Sequence, residues 1–309
     1  MKVFIDGRSG TTGLRIESRL AARDDIQLLI LPDEQRHDPE KRRWALNSCD
    51  AAILCLPDAA AREAVAMVEN EDVIVLDAST AHRTAPGWTY GFAELSLAHR
   101  QAILSSKRIA CPGCHASGFI ALVYPLIQAG LLPASALLSC FTVTGYTGGG
   151  KSMIAQYEAA QPEAELAAPR QYALGQSHKH LPEMQKITGL ETAPMFSPVV
   201  SNFPCGLVVT VPLFKQQLTP GAGIEDIRKA YQAAYTGPIV RYVPEVPESG
   251  FMPSNSMDGN DGMQILVGGN EERILLIANY DNLGKGASGA AVQNLNLVIG
   301  ADETTGLVL

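Results

Sequence analysis

The segment Cys111–Gly118, which reads Cys-Pro-Gly-Cys-His-Ala-Ser-Gly, has the residue types of a nucleophilic site. The strand-like segment Lys107–Ala110 precedes it, and the apolar run Phe119–Gln128 after it predicts a helix. A cysteine at the turn between them meets the orphan N–H groups and the positive end of the helix dipole. That field favours a thiolate, and the same N–H groups can hold an oxyanion on a substrate carbonyl. We therefore predict that Cys114 is a nucleophile.

Other interpretations fit the Cys-x-x-Cys-His pattern of this segment. It also matches a redox pair, half of a zinc site or a c-type haem attachment motif. Zinc needs further ligands at short spacing, and the remaining cysteines, at 49, 55, 140 and 205, are isolated, so we predict no metal site. Haem attachment requires an export signal, whereas the chain opens directly into a strand pattern. A redox pair and two small buried side chains remain as alternatives.

The run Ser177–Met184, which reads Ser-His-Lys-His-Leu-Pro-Glu-Met, offers acid–base groups. Pro182 suits the first position of a helix and forces the residue before it to be extended, which places His180 just before a helix N-terminus. A neutral imidazole is favoured there and is the form that a general base needs. In extended backbone His178 would share a face with His180. A metal pair or an exposed polar loop is the alternative.

The N-terminus carries a phosphate-binding pattern. Val3–Ile5 predicts a buried strand, an amphipathic helix pattern covers 14–20, and the turn between them contains Gly7, Arg8, Ser9, Gly10, Thr11, Thr12 and Gly13. Glycines admit a pyrophosphate and the helix N-terminus faces it, so this turn is the predicted cofactor loop. Its spacing, Gly-x-x-Gly-x-x-Gly, differs from the dinucleotide fingerprint, and a tight turn that needs glycine only for its backbone is the alternative.

Two charged residues near the second predicted strand bear on cofactor choice. Asp33 lies about twenty residues after Gly13, where an acidic residue binds the ribose 2′-hydroxyl of NAD. Arg36 follows and could instead face a 2′-phosphate. A charged surface loop is the alternative for both, so these residues leave NAD and NADP open.

The first third of the chain must supply a parallel sheet to position these residues. Apolar segments at Ile26–Leu31, Ala51–Leu56 and Val73–Leu76 alternate with helical patterns, which predicts a doubly wound α/β sheet. Ligands bind at the strand ends of such sheets. Ser79 and Arg83 follow the fourth strand and are candidate contacts for a substrate anion. A turn serine and a surface arginine are the alternative.

The chain after the Cys114 helix loses the strand–helix alternation. Strands are predicted at 137–144, 199–200, 207–214, 239–242, 264–267 and 274–278, with one helix at 224–234. This pattern predicts an antiparallel or mixed sheet in an α+β second domain. Gly145–Lys151 is predicted to be a flexible loop. The segment 281–296 predicts a helix that starts with very small residues, which permit close approach of its backbone to a ligand.

Composition limits the class of protein. A chain of 309 residues suggests two domains, and 46% hydrophobic with 18% charged residues is typical of a soluble globular protein. The net charge of −8 argues against a nucleic-acid or acidic-membrane partner. Without an apolar run of about 18 residues, no membrane span is predicted. Six cysteines and no signal peptide favour a reducing cytoplasm and free thiols.

Five motifs in this order resemble the N-acetyl-γ-glutamyl-phosphate reductase family, in its shorter form, over nearly the whole chain. They are Gly7-x-x-Gly10-x-x-Gly13, Asp77-x-Ser79-x-x-x-Arg83, Pro112-Gly113-Cys114, His178-x-His180-x-Pro182-Glu183 and Asp281-Asn282-Leu283-x-Lys285-Gly286-Ala287. The family usually has Asn before Pro-Gly-Cys and Tyr after it. This chain has Cys111 and His115 instead, which leaves the nucleophile in place and alters the packing around it.

The resemblance implies a Rossmann-type dinucleotide-binding domain, residues 1–113 plus 285–309, with an inserted α+β catalytic and oligomerisation domain, residues 114–284. It implies a cytoplasmic step of arginine biosynthesis, in which NADPH reduces an acyl phosphate to a semialdehyde and phosphate is released. NADP as the cofactor comes from the family. Family members are commonly dimers or tetramers, so we expect a homo-oligomer.

The mechanism implied is attack of Cys114 on the acyl phosphate, followed by hydride reduction of the thioester. His180 is the predicted acid/base residue and His178 its substitute, and Glu183 on the same helical face orients or polarises the site. Further candidate substrate contacts are Tyr172 and Gly148, and Asn282 and Gly286 are candidates to approach the nicotinamide. Two rival functions remain: an aspartate-semialdehyde dehydrogenase-type reductase, and an NADP-binding regulator without turnover.

Overall fold

The computed structural model describes all 309 residues, and the chain divides into two compact units. The first unit contains residues 1–93, 97–113 and 287–307. The second contains residues 94–96, 114–286 and 308–309. Cys111 therefore lies in the first unit, and Cys114 is the first residue of the long segment of the second unit.

The first unit is built on a six-stranded parallel sheet. Its strands are β1 (Lys2–Asp6), β2 (Gln27–Leu29), β3 (Ala51–Leu54), β4 (Ile74–Asp77), β5 (Thr89–Tyr90) and β6 (Arg108–Ala110), in the order β2-β1-β3-β4-β6-β5. The helices of this unit are α1 (Thr11–Leu20), α2 (Pro39–Ser48), α3 (Asp58–Ala66), α4 (Leu97–Ser105) and the C-terminal helix (Gly289–Ile299). This arrangement confirms the predicted doubly wound sheet.

Both faces of this sheet are covered, because successive strand residues point to opposite sides. Val3 and Ile5 of β1 pack with α1 and the C-terminal helix in one apolar cluster. Phe4, between them, packs with α2 and α3 in another. The strands therefore need apolar residues at nearly every position, which is why their sequences read as continuous apolar runs.

The second unit contains a seven-stranded mixed sheet. Its strands are β7 (Ser139–Gly145), β8 (Arg170–Gln171), β9 (Met195–Ser201), β10 (Leu207–Phe214), β11 (Val240–Tyr242), β12 (Met263–Gly269) and β13 (Arg273–Tyr280), in the order β11-β12-β13-β10-β7-β9-β8. The β7–β9 and β11–β12 pairs are parallel and the other pairs are antiparallel. The predicted mixed sheet is confirmed.

One face of this sheet carries the helices α5 (Cys114–Gln128), α7 (Leu181–Thr188) and α8 (Ile224–Ala234), while α6 (Gly150–Tyr157) follows β7. Helix α5 is the centre of this layer and packs on β10, β13, α7 and α8. From His115 to Val123 all of its side chains are buried, which explains why it reads as an unbroken apolar run.

Two local predictions were wrong. The segment 145–151 is not a flexible loop: a 3₁₀ turn, Tyr146–Gly149, leads directly into α6, and Tyr146 stacks on Tyr157 with ring centroids 4.6 Å apart. Helix α7 begins at Leu181, which is helical rather than extended, because Pro182 occupies its second position. The predicted position of Cys114 at a helix N-terminus agrees with the structure, in which α5 starts at Cys114 and includes residues 114–118 before the apolar run.

No helix of the protein is long and apolar enough to cross a membrane.

Tyr231, in α8, and Tyr235, at the C-terminal end of α8, donate hydrogen bonds to backbone carbonyl groups of α5. Pro125 has no N–H, so the carbonyl of Ala121, four residues earlier, lacks its helical partner. The Tyr235 hydroxyl donates to that carbonyl at 2.6 Å. The Tyr231 hydroxyl donates to the carbonyl of Leu122. That carbonyl also has its regular helical donor, the N–H four residues later in α5.

Tyr235→Phe should therefore lower the free energy of unfolding by about 1–3 kcal/mol, because the buried Ala121 carbonyl loses its donor. Tyr231→Phe is the matched control and should cost less. Urea denaturation of both variants measures the difference. In a Pro125→Ala background the cost of Tyr235→Phe should shrink, since the introduced alanine restores an N–H. Equal costs for the two tyrosines, with no effect of the background, would contradict this assignment.

Candidate active site

Helix α5 presents Cys114 as its first residue, and the turn Cys111–Gly113 leads into it. The Cys114 side chain is half-buried, whereas Cys111 is buried. The N–H groups of the first turn of a helix have no acceptor within the helix, and the helix dipole is positive there. The position of Cys114 thus has the field that stabilises a thiolate and an oxyanion.

The hydroxyl of Tyr280 is inserted into the first turn of α5. In a regular helix the Gly118 N–H would donate to the Cys114 carbonyl. Here the Gly118 N–H donates to the Tyr280 hydroxyl at 2.9 Å, and that hydroxyl donates to the Cys114 carbonyl. A Cβ at position 118 would lie 2.6 Å from the Tyr280 oxygen, so glycine is required. Tyr280 therefore fixes the backbone that carries Cys114, a role that the sequence did not indicate.

The segment after β13 closes around Cys114 from another side. A single π-helical turn covers Gly284–Ser288, and a Cβ at Gly286 would lie 3.0 Å from the Cys114 Cβ. Small residues at this helix start therefore permit close approach to the cysteine itself. The Asn282 amide accepts from the Gly206 N–H at 2.8 Å and donates to the Thr147 hydroxyl at 3.1 Å.

Gly148 lies beside this amide, since a Cβ there would be 3.4 Å from the Asn282 Nδ2. Both polar groups of Asn282 are thus bonded within the second unit. The predicted roles of Asn282 and Gly286 toward a nicotinamide stay predictions. In the structure Gly286 approaches Cys114, and Asn282 links Gly206 to Thr147.

His115, the residue after Cys114, belongs to a cluster of aromatic and imidazole rings. His115 lies with its ring centroid 5.7 Å from that of His180 and 6.1 Å from that of His178. His178 and His180 are 4.7 Å apart, and Phe196 covers His178 at 5.1 Å. The four rings form one contiguous group, which we call the histidine cluster.

A turn, rather than extended backbone, brings the two predicted histidines together. The Leu181 N–H donates to the His178 carbonyl at 3.0 Å, and His180 is the N-cap of α7. The His180 backbone N–H donates to Nδ1 of His178 at 3.2 Å. An imidazole nitrogen that accepts a hydrogen bond carries no proton, so this contact assigns the acceptor role to Nδ1 of His178. Glu183, one turn further along α7, is buried.

Burial, and next the neighbouring His178, lower the pKa of His115 to about 3. It is therefore neutral in any buffer near neutral pH and cannot serve as a base that gains a proton there. Its Nε2 lies 2.7 Å from the Tyr172 hydroxyl. Burial, followed by the nearby Cys114, raises the pKa of Tyr172, so that hydroxyl keeps its proton.

Ser79 and Arg83 lie in the first unit and bond to its backbone and side chains. The Ser79 hydroxyl donates to the Asp77 carboxylate at 2.7 Å. Arg83 donates through Nε to the Cys111 carbonyl at 2.9 Å and through Nη2 to the Ala78 carbonyl at 3.0 Å. Both side chains are buried. Arg83 thus holds the turn that precedes Cys114, and a role for either residue toward substrate stays a prediction.

The predicted cofactor loop has the backbone of a phosphate cradle. Gly7 has a φ of +83°, and a Cβ on it would lie 2.3 Å from the Cys55 carbonyl oxygen. Gly10 caps α1 in an extended conformation, and Gly13 could carry no Cβ, because it would lie 2.6 Å from the Gly7 carbonyl oxygen. The Thr11 hydroxyl is buried and has no hydrogen-bond partner in the chain. An open loop with an orphaned hydroxyl at a helix N-terminus fits the pyrophosphate of a dinucleotide.

A pocket of about 240 Å³ adjoins this loop in the first unit. Its charged lining consists of Asp6, Arg8, Asp33, Arg36, His37 and Arg42. Asp33 is exposed and lies 3.6 Å from the Arg8 guanidinium and 3.9 Å from that of Arg36. Asp6 is paired with Arg42 at 2.9 Å. Arg8 also pairs with Glu17 at 2.9 Å. Arginines next to a pyrophosphate cradle suit a phosphorylated ribose.

A parallel doubly wound sheet with a dinucleotide cradle, followed by a unit that carries a cysteine at a helix N-terminus among histidines, defines an oxidoreductase of the semialdehyde dehydrogenase class. Residues 2–103 match the semialdehyde dehydrogenase NAD binding domain family, and residues 114–282 match the semialdehyde dehydrogenase dimerisation domain family. A nicotinamide cofactor follows from the first match.

Comparison with proteins of known name identifies the family to which the chain belongs within this class. The N-acetyl-gamma-glutamyl-phosphate reductase of Rhizobium meliloti (strain 1021) is 48% identical over 307 residues, which cover 97% of this chain and 99% of that protein. That of Brucella ovis is 45% identical over 306 residues, with the same coverage. The chain belongs to the N-acetyl-gamma-glutamyl-phosphate reductase family, which confirms the resemblance predicted from its motifs.

Among solved structures, a probable aspartate-semialdehyde dehydrogenase from Pseudomonas aeruginosa matches with a TM-score of 0.74 at 16% identity, covering 97% of this chain and 98% of that one. This likeness confirms the fold.

Thiol reactivity should distinguish Cys114 from the buried cysteines. Burial raises the pKa of Cys49 to about 11 and that of Cys111 to about 12, and it raises the pKa values of Cys55 and Cys140 further. Iodoacetamide at pH 8 should therefore alkylate Cys114 at least about tenfold faster than these four, since the thiolate is the nucleophile.

Peptide mass mapping of a time course measures the order of labelling. Cys205, the other half-buried cysteine, is the competitor, and Cys205→Ser should leave the Cys114 rate unchanged. Labelling of Cys111 before Cys114 would instead support the redox-pair interpretation.

Proposed function

We propose that the protein reduces N-acetyl-γ-glutamyl phosphate to N-acetylglutamate semialdehyde, with release of phosphate, as a step of arginine biosynthesis. The observation that carries the proposal is Cys114 at the first position of α5, next to a cluster with two histidines at the start of α7. The names of relatives at 45–48% identity support the same substrate.

Covalent catalysis by Cys114 explains the arrangement. The thiolate attacks the carbonyl carbon of the acyl phosphate, the carbon–oxygen bond to the phosphate breaks, and a thioester forms on Sγ. The N–H groups of the first turn of α5 stabilise the oxyanion that develops on the carbonyl oxygen. The cofactor loop Gly7–Gly13 would hold a nicotinamide dinucleotide, which would supply the hydride for reduction of the thioester. The resulting tetrahedral oxyanion collapses to the aldehyde and returns Cys114 to the thiolate.

His180 is our choice for the residue that takes the thiol proton from Cys114. His178, whose Nδ1 accepts the backbone N–H of His180, is our candidate for contact with a substrate oxygen. Glu183 supports the start of α7 from a buried position. Gly148 and Tyr172, in the second unit, and Ser79 and Arg83, in the first, remain our candidates for substrate contact.

The test of this function is the reverse reaction, followed as NADPH formation from NADP, phosphate and N-acetylglutamate semialdehyde. The proposal predicts activity with this aldehyde and much less with aspartate semialdehyde. The opposite preference would favour the aspartate-semialdehyde dehydrogenase-type reductase. Binding of NADP without turnover of either aldehyde would favour the cofactor-binding regulator.

In the same assay His180→Asn should lower kcat by about 10²–10⁴-fold, the usual contribution of general acid–base catalysis. His178→Asn should act mainly on the KM for substrate. A reversal of these two effects would exchange the roles of the histidines. Neither variant should change cofactor affinity, which controls for folding.

We propose NADP rather than NAD as the cofactor because Arg36 lines the pocket beside the cradle and the charge of Asp33 is compensated by two arginines. An acidic residue that selects NAD must be available to the ribose 2′-hydroxyl, whereas an arginine accommodates the 2′-phosphate.

Arg36→Ala should weaken NADPH binding by about 10–100-fold, the loss of a charge-assisted hydrogen bond, and leave NADH binding unchanged. Fluorescence titration with both cofactors measures this. Arg43→Ala is the control, because Arg43 is half-exposed, pairs with Glu69 and does not line the pocket. Equal losses for NADPH and NADH would refute the contact with the 2′-phosphate.

The open face of the second sheet is our proposed dimer interface. Along each strand, residues that face α5 alternate with residues that point to the opposite face of the sheet. The pairing of Phe141 with Ser197 and of Leu275 with Pro212 shows which residues share that opposite face. Its exposed apolar residues are Phe141, Met195, Phe214 and Leu275. A soluble monomer rarely exposes such a patch. The match of residues 114–282 to a dimerisation domain supports a second copy of this chain as the occupant.

Leu275→Asp should shift the protein toward monomers in sedimentation velocity, because a charge within the patch must be desolvated on association. Phe251→Asp, at an exposed position outside the sheet, is the control and should leave the mass unchanged. A dimer unaffected by Leu275→Asp would place the interface elsewhere.

A further inference from the structure

His115 is the residue at which this chain departs from the family pattern beside the nucleophile, and its surroundings give it a defined task. Both ring nitrogens are bonded: Nδ1 lies 3.0 Å from the Thr142 hydroxyl and Nε2 lies 2.7 Å from the Tyr172 hydroxyl. Thr142 is on β7 with its side chain pointing at α5, and it is fully buried. Two hydroxyls thus share one neutral imidazole.

A neutral imidazole has one donor and one acceptor nitrogen, so two directions are possible for this chain of three groups. If Nδ1 carried the proton and donated to Thr142, the Thr142 hydroxyl proton would need another acceptor. The Thr142 hydroxyl has no hydrogen bond other than that to His115. An unsatisfied hydroxyl proton in a fully buried site costs about 1–3 kcal/mol. The opposite tautomer leaves the Tyr172 hydroxyl proton without an acceptor in the chain instead, but Tyr172 is half-buried whereas Thr142 is fully buried. The smaller cost therefore has the Thr142 hydroxyl donating to Nδ1 and His115 carrying its proton on Nε2.

This tautomer settles the orientation of the Tyr172 hydroxyl. Because His115 Nε2–H donates to the Tyr172 oxygen, the Tyr172 proton points away from the imidazole. Within the chain, that proton has no acceptor, and the side chain is half-buried. The hydroxyl is thus left as an oriented donor for a group that is not part of the protein.

We infer that Thr142, His115 and Tyr172 form a one-way chain of hydrogen bonds that presents the Tyr172 hydroxyl as a donor to the oxygen that becomes negative at the reacting carbonyl. His115 and Thr142 are positioning residues, since they act through Tyr172. The inference rests on the proposed function, because it needs a carbonyl attacked by Cys114. It adds a donor from a side chain to the backbone N–H groups of α5.

A tyrosine at position 115, as in the family pattern, could not perform this task in the same way. Its hydroxyl lies at the end of a longer ring and has one proton, whereas the imidazole of His115 accepts at one nitrogen and donates at the other. The three-group chain is therefore a property of this sequence, and Thr142 is the residue that sets its direction.

The first experiment reads the tautomer without requiring turnover. Spectra of the protein labelled with ¹⁵N-histidine should show His115 as a single neutral Nε2–H tautomer at pH 7. His115→Gln identifies its signals. In Thr142→Val the Nδ1 nitrogen loses its donor, so its chemical shift should move and both tautomers should be populated. Thr142→Ser should restore the original signal. An Nδ1–H tautomer in the unmodified protein would overturn the inference.

The second experiment measures its consequence. Thr142→Val should lower kcat by about tenfold, as for loss of one hydrogen bond to a charged group, with KM for the cofactor unchanged. Thr142→Ser should recover the rate. Tyr172→Phe should lower kcat at least as much, and adding Thr142→Val to it should cost nothing further, because both changes remove one interaction. If the kcat losses of Tyr172→Phe and Thr142→Val multiplied in the double variant, or if the Thr142→Val enzyme had a normal kcat, the proposed chain of hydrogen bonds would be refuted.

Failure of the proposed function would look different. If the protein lacked turnover with either aldehyde while His115 held the Nε2–H tautomer, and lost it in Thr142→Val, the hydrogen-bond chain would stand and its assignment to acyl-phosphate reduction would fall. Full activity together with the Nδ1–H tautomer would keep the function and remove the chain.

Discussion

The hydrogen bonds of Tyr280 to the first turn of α5 fix the geometry on which the candidate site depends. The hydroxyl bridges the Cys114 carbonyl and the Gly118 N–H, so the backbone at the nucleophile is held from the end of β13 rather than by the helix alone. The segment that follows Tyr280 places Gly286 against the Cys114 Cβ. One strand end therefore determines both the orientation of the cysteine and the space around it.

The residue after the nucleophile shows the same dependence on buried surroundings. His115 is neutral because burial lowers its pKa to about 3, and a neutral imidazole accepts at one nitrogen and donates at the other, which is what gives the link between the two hydroxyls a direction. The side chain of Cys114 is half-buried and the ring of His115 is buried, although the two residues are neighbours in sequence. Burial thus distinguishes the cysteine that we propose reacts from the histidine that we propose positions Tyr172.

Local patterns predicted much of the fold. The strand Leu207–Phe214 and the helix Ile224–Ala234 have the bounds that their alternating and helical patterns indicate, because each faces a core on one side. The sequence predicted the glycine turn at Gly7, where a positive φ and a nearby carbonyl oxygen exclude residues that carry a Cβ. The position of Cys114 at a helix N-terminus followed from the change of pattern around it.

Other features depend on contacts between distant segments, which no window of sequence contains. The helical start of α6 relies on Tyr146 stacking on Tyr157, and Gly-rich sequence alone predicts a loop there. The bridge from Tyr280 to Cys114 joins residues 166 positions apart. Thr142 and Tyr172 become partners of His115 only when β7 and the segment after β8 fold over α5. Buried polar residues such as Thr142 and Tyr280 have no local signature that would separate them from ordinary strand residues.

The most direct test of the account is whether Cys114 becomes acylated. Rapid mixing of the protein with N-acetyl-γ-glutamyl phosphate in the absence of reduced cofactor should release one phosphate per active site in a burst. Mass spectrometry of the quenched protein should then locate one N-acetylglutamyl group on the peptide that contains Cys114. Steady reduction of the acyl phosphate with neither a burst nor an adduct on that peptide would contradict covalent catalysis by Cys114.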